Sequence, residues 1–331
     1  MTSIEYQVVG VGNALVDILS HEDDGFLSGI GLEKGAATMV DADASEALYA
    51  RMGPAAEVSG GSAANTVAGV ASFGGTAAFV GRVGDDTFGR VFSHDLRSVG
   101  VHFDGAVAAD GTPTGRCLVV VTPDAQRTMC TYLGAACDLD PESVDPDLVR
   151  ASAVTYLEGY LWDQPLAKAA IRRAARAAHE GGRRGALTLS DPFCVERHRA
   201  EFRVLLEGSV DVLFANEHEI CSLYEVDDLD AAMHRVRGHC EIAALTRGPL
   251  GSVVVTRDDV HVIDPHPVAQ VVDTTGAGDL YAAGFLHGLT AGLDLASCGR
   301  LGSLAAAEVI SHLGARPLQP LALHAAEVLE R

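Results

Sequence analysis

The sequence has few basic residues for its length. Its 331 residues include 24 Lys and Arg against 45 Asp and Glu, which gives a formal net charge of −21. We do not expect a nucleic-acid-binding protein, because such proteins need a basic surplus to neutralise phosphates. Hydrophobic residues make up 48% of the chain and charged residues 21%, which is typical of a globular protein rather than a disordered one.

Signals for export and for membrane insertion are also lacking. The first residues, MTSIEYQVVG, do not contain a basic segment followed by an apolar one, as a secretory signal does. The longest stretch without charge, residues 58–81, holds Asn65 and six glycines, so it suits a buried helix and strand better than a membrane span. We therefore expect a cytoplasmic protein with no membrane partner.

The seven cysteines lack the spacing of a metal or disulfide site. They are odd in number and include no C-x-x-C pair, which predicts reduced thiols packed as small hydrophobic groups.

Two common nucleotide-binding motifs are also missing. No G-x-x-x-x-G-K-[ST] sequence is present, which excludes the ordinary P-loop. Gly10 and Gly12 match half of a dinucleotide fingerprint, but Leu15 stands where the third glycine belongs. An NAD-dependent oxidoreductase is therefore a remote alternative.

What the chain does have is a regular alternation of strand and helix patterns. Apolar runs rich in β-branched residues lie at 7–11, 77–80, 154–157, 186–189, 210–214 and 242–246. Helical patterns lie between them at 62–73, 88–99, 165–179 and 217–224. This alternation predicts an α/β fold, a three-layer sandwich in which a mainly parallel sheet is covered by helices on both faces.

Two regions interrupt this alternation, at about 14–59 and 112–133. Short strand patterns at 37–40, 117–122 and 128–133 are broken there by Pro and Gly, and a helix is expected near 44–51. We interpret the two regions as one small β-rich lid that closes over a substrate. The large domain would then comprise about residues 1–13, 60–111 and 134–331.

The glycine-rich run from Asp273 to Asp279, DTTGAGD, is the strongest chemical signal. We expect Val271 and Val272 to end a strand and residues 280–289 to form a helix. Gly276 and Gly278 allow close approach of a phosphate, and the free N–H groups of the first helical turn attract an anion. A carboxylate at Asp279 can accept a hydroxyl proton and orient that oxygen toward phosphorus.

Two further turns carry polar side chains that suit a sugar. Gly60 and Gly61 precede Asn65, and Asn13 precedes Asp17 at the end of the first strand. A carboxylate accepts two hydroxyl protons and an amide both donates and accepts, so Asp17 and Asn65 together can bind a vicinal diol. Taken alone, Asp17 or Asn65 is more often a cap or turn residue than a ligand.

These motifs, in their order along the chain, resemble the PfkB (ribokinase-like) family of carbohydrate and nucleoside kinases over essentially the whole sequence. The elements that carry the resemblance are Gly12-Asn13 with Asp17, Gly60-Gly61 with Asn65, Gly81-x-x-Gly84-Asp85-Asp86-x-x-Gly89, Asn216-x-x-Glu219, Thr246-Arg247-Gly248 with Gly251, and Asp273 to Asp279. The resemblance implies a ribokinase-like sandwich with a lid, and transfer of the γ-phosphoryl group of MgATP to a primary hydroxyl.

The resemblance also implies roles for single residues. Asp279 would be the catalytic base, and the N–H groups of Gly276, Ala277 and Gly278 the anion hole. Asn216 and Glu219 would hold Mg²⁺ through water, although their spacing alone equally fits a helix capping box. The implied ATP-binding residues are Asn216, Thr246, Arg247, Gly248, Gly251, Thr275, Gly276 and Gly278.

Within the family, the sequence is similar to the adenosine kinase branch. The run Pro113-Thr114-Gly115 and the lid arginine Arg127 carry this likeness. Arg127 would reach the transferring phosphoryl group. The implied acceptor is a purine nucleoside, most simply adenosine, phosphorylated on its 5′-hydroxyl. Its ribose would be bound by Asn13, Asp17, Gly60, Gly61 and Asn65, and its base by candidates Leu133, Tyr160 and Trp162.

Several alternatives stay open at this stage. A ribokinase-like or fructokinase-like sugar kinase would share every catalytic residue, and an inactive ligand-binding relative would share the fold. Thr188 stands where the family often has Asn, which leaves its role open. Potassium dependence, common in the family, would involve carbonyls near the DTTGAGD turn and the loop at 314–316. The expected partners are small molecules, and the assembly is a monomer or a homodimer.

Overall fold

The computed structural model describes residues 3–124 and 126–329. Its strands, in chain order, are β1 (Tyr6–Val11), β2 (Leu15–His21), β3 (Ala37–Met39), β4 (Ala55–Gly60), β5 (Ala77–Val80), β6 (Arg82–Val83), β7 (Val101–His102), β8 (Ala106–Val107), β9 (Gly115–Val121), β10 (Arg127–Tyr132), β11 (Ser152–Glu158), β12 (Arg184–Thr188), β13 (Val212–Asn216), β14 (Ile242–Thr246), β15 (Ser252–Val255) and β16 (Val260–Ile263).

The α-helices are α1 (Asp24–Ile30), α2 (Ala42–Tyr49), α3 (Ser62–Ser72), α4 (Thr87–Ser98), α5 (Pro146–Arg150), α6 (Pro165–Glu180), α7 (Pro192–Ser209), α8 (Glu217–Tyr224), α9 (Leu229–Val236), α10 (Ala277–Thr290), α11 (Leu295–Val309) and α12 (Ala322–Leu329). Short 3-10 helices lie at Gly134–Asp138, Pro141–Ser143, Gly159–Asp163 and Gly248–Leu250. None of the helices in the described residues is long and apolar enough to cross a membrane.

The large sheet contains nine strands within the described residues, in the order β16-β15-β14-β13-β12-β11-β1-β5-β7. The strands from β14 to β7 run parallel, whereas β15 and β16 are antiparallel at one edge. Side chains that alternate along a central strand enter different layers. Val8 belongs to an apolar cluster that includes residues of α3, α10 and α11, and Val9 belongs to a second cluster that includes residues of α6 to α9. The predicted mainly parallel α/β sandwich is thereby confirmed.

A smaller sheet, which we call the lid sheet, has the strand order β3-β10-β9-β2-β4. Both regions that interrupt the βα alternation in the sequence contribute strands to it. Its face toward the acceptor side of the large domain carries Leu19, Val119 and Met129, and α1 and α2 cover the other face through residues such as Phe26 and Leu48. That the sheet moves as a lid stays a prediction.

One expectation about local structure is wrong. Val271 and Val272 do not end a strand, because the segment after β16 leaves the sheet and runs as a loop to the DTTGAGD turn. The Val272 and Asp273 N–H groups donate instead to the carbonyl of Ile310, which follows α11, at 2.8 and 3.3 Å. The helical turns at the end of α11 therefore support this loop in place of a neighbouring strand.

Candidate active site

The DTTGAGD turn leads directly into α10. Gly276 lies immediately before the helix with φ of +77°, a backbone conformation that favours glycine. A Cβ there would also lie 2.8 Å from the Ala315 Cβ, so the turn packs closely on the loop after α11. The Ala277 N–H donates to the Thr274 carbonyl at 3.2 Å. The positive end of the α10 dipole therefore lies at this turn, next to the Asp279 side chain.

The Asp279 carboxylate is held by two donors from the start of α3. Ser62 Oγ donates to one carboxylate oxygen at 2.6 Å, and Asn65 Nδ2 donates to the other at 3.0 Å. Burial raises the pKa of Asp279, while the two hydrogen bonds and the charge of Arg316 oppose that rise. Ser62 was not a candidate in the sequence, although its position after Gly60-Gly61 at a helix start is a signal that could have found it.

Asp17 lies on β2 of the lid sheet, opposite Val58 on β4, and its carboxyl group lies over Gly60 on the same neighbouring strand. A Cβ at Gly60 would clash with the whole Asp17 carboxyl group, so only glycine leaves room for it. Burial raises the pKa of Asp17 to about 6, against the lowering effect of Arg316 and Arg127, and the nearby Asp279 raises it further. Two carboxylates thus face one region of the cleft.

Arg127 extends from β10 of the lid sheet to the DTTGAGD turn. Its guanidinium forms a buried ion pair with Asp273, and Nη1 donates to Thr275 Oγ1 at 2.7 Å. The Asp273 carboxylate also accepts the N–H groups of Thr275 and Gly314, at 3.0 and 2.9 Å. These bonds join the lid sheet, the turn and the loop after α11.

Glu158 is a buried carboxylate that the sequence analysis missed. It ends β11, is 1% exposed, and accepts the Asn13 side-chain amide and the Ala63 N–H. Burial raises the pKa of Glu158 to about 7, although these hydrogen bonds lower it. Glu158 therefore fixes Asn13 and the start of α3, which carries the donors to Asp279. A single Glu at a strand end gives no sequence signal for this role.

A cavity of about 480 Å³ opens between the lid sheet and the loop after α11. Its polar lining includes Asp17, Ser59, Arg127, Thr275 and Arg316, together with His21. Its apolar walls come from Leu19, Val58, Val119, Met129, Leu313 and Leu318, among others. We call it the acceptor-side cavity.

The residues expected to contact a purine base lie away from the acceptor-side cavity. Leu133 follows the last residue of β10 and begins the turn out of the lid sheet. Tyr160 lies beside Ser190, to whose carbonyl its hydroxyl donates at 3.4 Å. Trp162 is 1% exposed and packs against Phe202 in the helical layer of the large sheet that contains α6 to α9. The apolar walls come from the lid strands and from the loop after α11, and none of these three residues lines the cavity.

A second cavity, of about 750 Å³, lies on the other side of the DTTGAGD turn, and we call it the nucleotide-side cavity. Thr274, Ala277 and Gly278 line it, whereas Thr275 lines the acceptor-side cavity. Of the other residues expected to bind ATP, Thr246, Gly248 and Gly251 line it, and Asn216, Arg247 and Gly276 do not. The sequence missed the wall formed by Pro265, Pro267, Val268, Tyr281, Ala306 and Ile310.

Asn216 and Glu219 form a capping box at the start of α8. Each backbone N–H donates to the other side chain at 2.9 Å, and Asn216 Nδ2 donates to Glu219 Oε1 at 2.6 Å. Burial raises the pKa of Glu219 to about 7, and the charges of Asp191 and Asp279 add to the rise.

This capping box and the charges around it fit a hydrated Mg²⁺ ion. Both Glu219 oxygens have a partner but keep a second lone pair, and the negative charges of Asp191 and Asp279 repel that of Glu219. A divalent cation that keeps its water shell would relieve their repulsion. Within the described residues, no group of three or more His, Cys, Asp or Glu side chains is arranged to hold a metal directly.

A partly buried carboxylate at a glycine-rich helix start, with a cavity on either side, can bring a hydroxyl and a phosphate together. The class that fold and site define is a phosphotransferase that acts on an alcohol acceptor. The pfkB family of carbohydrate kinases matches residues 38–321, and the chain belongs to that family.

Several relatives match the chain over nearly its whole length. The structure of adenosine kinase from Sinorhizobium meliloti is 52% identical, covers 98% of this chain and 99% of its own, and has a TM-score of 0.90. The structure of a probable sugar kinase from Rhizobium etli is 48% identical, covers 99% of both chains and has a TM-score of 0.91. Adenosine kinase of Saccharomyces cerevisiae is 30% identical over 93% of this chain and 95% of its own.

Proposed function

We propose that the protein is an adenosine kinase, which transfers the γ-phosphoryl group of MgATP to the 5′-hydroxyl of adenosine and releases AMP and ADP. The observation that carries this proposal is the acceptor-side cavity, where a carboxylate suited to a ribose diol lies next to apolar walls suited to a base. A free sugar would leave those walls exposed to water. The 52% identity to a protein described as an adenosine kinase supports the same acceptor.

The ribose binds where the lid sheet meets α3. Asp17 accepts the protons of the 2′- and 3′-hydroxyls, and the backbone at Gly60 and Gly61 allows the sugar to approach. Asn65 Oδ1 is buried and has no hydrogen-bond partner among the described residues, so it offers an acceptor to a substrate hydroxyl. Asn13 supports this surface through Glu158.

The transfer itself depends on positioning and charge. Asp279, fixed by Ser62 and Asn65, accepts the 5′-hydroxyl proton and orients that oxygen toward the γ-phosphorus. The N–H groups of Gly276, Ala277 and Gly278 donate to the phosphoryl oxygens. The Ala277 N–H gives up its hydrogen bond to the Thr274 carbonyl when it does so. Arg127 supplies positive charge at the edge of the acceptor-side cavity.

ATP binds in the nucleotide-side cavity, with its phosphates directed to the start of α10. Asn216 and Glu219 would hold Mg²⁺ through water, and the ion would supply positive charge next to the phosphates. Potassium dependence stays a prediction. We place the protein in the cytoplasm, where ATP and nucleosides are both available.

The test is ADP release in the presence of MgATP with adenosine, inosine, guanosine, cytidine, ribose and fructose at one K⁺ concentration. We expect turnover selective for adenosine, and a product identified as the 5′-monophosphate. A preference for ribose or fructose would refute the nucleoside assignment and favour the sugar kinase alternative, which the likeness to the probable sugar kinase of Rhizobium etli supports. Absence of turnover with every acceptor would contradict the kinase proposal.

A further inference from the structure

Arg316 is a cation in the cleft that the proposed mechanism does not use. It lies in the loop after α11 and lines the acceptor-side cavity together with Asp17. Its Nε donates to the Ser59 carbonyl at 3.2 Å, and its Nη2 donates to Ser59 Oγ at 3.1 Å. Because Ser59 lies on β4, the guanidinium connects the large domain to the lid sheet.

The position of Arg316 is set from the DTTGAGD turn. The preceding residue, Ala315, packs so closely on Gly276 that a Cβ at Gly276 would lie 2.8 Å from the Ala315 Cβ. One residue earlier, the Gly314 N–H donates to Asp273 at 2.9 Å. The loop therefore presents Arg316 to the cleft in a defined place relative to the start of α10.

The charges around Arg316 come from three elements. Asp17 on β2, Asp279 on α10 and Asp95 on α4 all act on it. Burial lowers the pKa of Arg316 to about 10, so the guanidinium is still charged near neutral pH. Asp95 already accepts the Ser59 N–H at 3.1 Å, and Ser62 and Asn65 already hold Asp279. Of these three carboxylates, Asp17 is therefore the one whose ionisation depends most on the charge of Arg316.

Asp17 itself faces a mixed set of charged and titratable groups. Arg316 and Arg127 favour its ionised form, whereas burial and the Asp279 carboxylate oppose it. Cys117 on β9 interacts with it, and His21 lines the same cavity. If one cation is removed, a partly buried carboxyl beside a second carboxylate takes up a proton more readily. A protonated Asp17 then has a hydroxyl that donates, and it can no longer accept two hydroxyl protons.

We propose that Arg316 is a positioning residue for the acceptor: it keeps the Asp17 carboxylate ionised and seated over Gly60, so that this carboxylate binds the vicinal hydroxyls of the substrate. The inference rests on the proposed function and deepens it, because it assigns part of the acceptor specificity to a loop of the large domain. Arg316 acts here through Asp17 and not on the transferring phosphoryl group.

The experiment compares Arg316→Met and Arg316→Lys with Arg235→Met, which removes an exposed guanidinium on α9. Initial rates are measured with MgATP and adenosine between pH 6 and 9. We expect Arg316→Met to raise KM for adenosine about 10- to 100-fold while KM for ATP stays within about twofold. The acidic limb of kcat/KM should move to higher pH. Arg316→Lys should restore most of the affinity, and Arg235→Met should match the wild type.

A double-variant cycle identifies the group through which Arg316 acts. When Asp17 is already Asn, the loss of Arg316 should cost little further affinity, because no carboxylate remains to be held ionised. An equal loss of adenosine affinity with Asp17 and with Asn at position 17 would overturn the proposal. A fall in kcat at every pH with KM for adenosine unchanged would also overturn it. If the Arg316→Met variant does not fold, Arg316→Gln makes the same test, because it removes the charge and keeps an N–H donor for Ser59.

The outcomes also separate this inference from the proposed function. A wild-type enzyme that phosphorylates adenosine while Arg316→Met keeps normal KM and pH dependence overturns the role of Arg316 alone. A wild-type enzyme that prefers ribose overturns the nucleoside assignment, and the same variants measured with ribose then decide the role of Arg316. An enzyme with no kinase activity overturns both.

Discussion

The orientation of Asp279 is decided by two side chains from one helix, Ser62 and Asn65, each bound to a different carboxylate oxygen. Asp279→Asn keeps the shape of the side chain but removes the negative charge that accepts the proton in the proposed mechanism. We expect kcat to fall about 10²- to 10⁴-fold, which corresponds to about 3 to 5.5 kcal/mol of transition-state stabilisation. The dissociation constant for ATP should change little.

The matched control for this change is Asp259→Asn, an exposed residue in the turn before β16. Its kcat and ATP affinity should equal those of the wild type. Steady-state rates and calorimetric ATP titrations measure both quantities on each variant. Near-normal turnover of Asp279→Asn would remove Asp279 from the role of base.

Glu158 links stability to pH. Its folded-state pKa is raised from the ordinary 4.5 to about 7 by burial, so the folded protein holds this proton more tightly than the unfolded chain. The stability that Glu158 contributes is fully present below about pH 4.5 and is lost as pH rises through about 7. Glu158→Gln cannot lose that proton. Between these pH values, the free energy of unfolding of the variant should therefore rise by about 2 to 4 kcal/mol relative to the wild type.

Urea unfolding at several pH values measures this difference. Exposed Glu142 provides the control, since Glu142→Gln should give a curve parallel to that of the wild type. A Glu158→Gln curve that also runs parallel to the wild type would show that Glu158 titrates normally in the folded protein. The lost hydrogen bond from Asn13 shifts the whole curve and does not change its slope with pH.

At the scale of elements, Asp86 joins helix α4 to the lid sheet. Its carboxylate accepts the Gly89 N–H at 2.7 Å as the cap of α4, and it also accepts the Thr114 N–H and hydroxyl at 2.8 and 2.7 Å. Thr114 immediately precedes β9. The hydrogen bonds to Asp86 lower its pKa despite partial burial. One side chain therefore fixes both a helix start and the entry to a lid strand.

Asp86→Ala should destabilise the protein by about 2 to 4 kcal/mol, because three donors lose one acceptor. Asp228→Ala removes an exposed cap of α9 that bonds only the Ala231 N–H among the contacts described, and should cost about 1 kcal/mol. Thermal unfolding compares the two. If the lid depends on this junction, Asp86→Ala also raises KM for the acceptor, whereas Asp228→Ala leaves it unchanged.

The parallel sheet could be predicted from sequence because its strands are buried on both faces. Strand patterns at 77–80 and 242–246 coincide with β5 and β14, since continuous apolar runs bounded by turns have few other solutions. The short pair β6 and β8 and the edge strands β15 and β16 were not predicted. Their hydrogen bonds depend on which strand lies beside them, and a single segment carries little information about that.

The candidate site could be predicted where the motif is local and not where it is assembled from distant segments. Asp279 and the turn before it stand in one run of seven residues. Ser62 follows Gly60-Gly61 at a helix start and could have been found, whereas Glu158 and Arg316 come to the site from separate elements, with no spacing that relates them to it. Leu133, Tyr160 and Trp162 stay predictions as contacts of a base, and they do not line the acceptor-side cavity. The lid-strand residues that do line it could not be chosen from sequence, because the direction in which a strand residue faces follows from strand register.

At the scale of the whole molecule, the DTTGAGD turn separates two cavities, of about 480 and 750 Å³. If adenosine and ATP occupy one each, both ligands bind the folded protein at once. Each should then add about 2.7 kcal/mol of stability at about 100 times its dissociation constant, and the two contributions should add. Closure of the lid sheet over both ligands would make the combined effect larger than the sum.

Thermal unfolding with adenosine, with a non-hydrolysable ATP analogue and Mg²⁺, and with both together measures this relation. Asp17→Asn should lose most of the shift given by adenosine and keep the shift given by the analogue, because Asp17 lines only the acceptor-side cavity. A saturating concentration of one ligand that abolishes the shift by the other would mean that they share one site. Because the turn lies between the cavities, that result would also contradict in-line transfer across the start of α10.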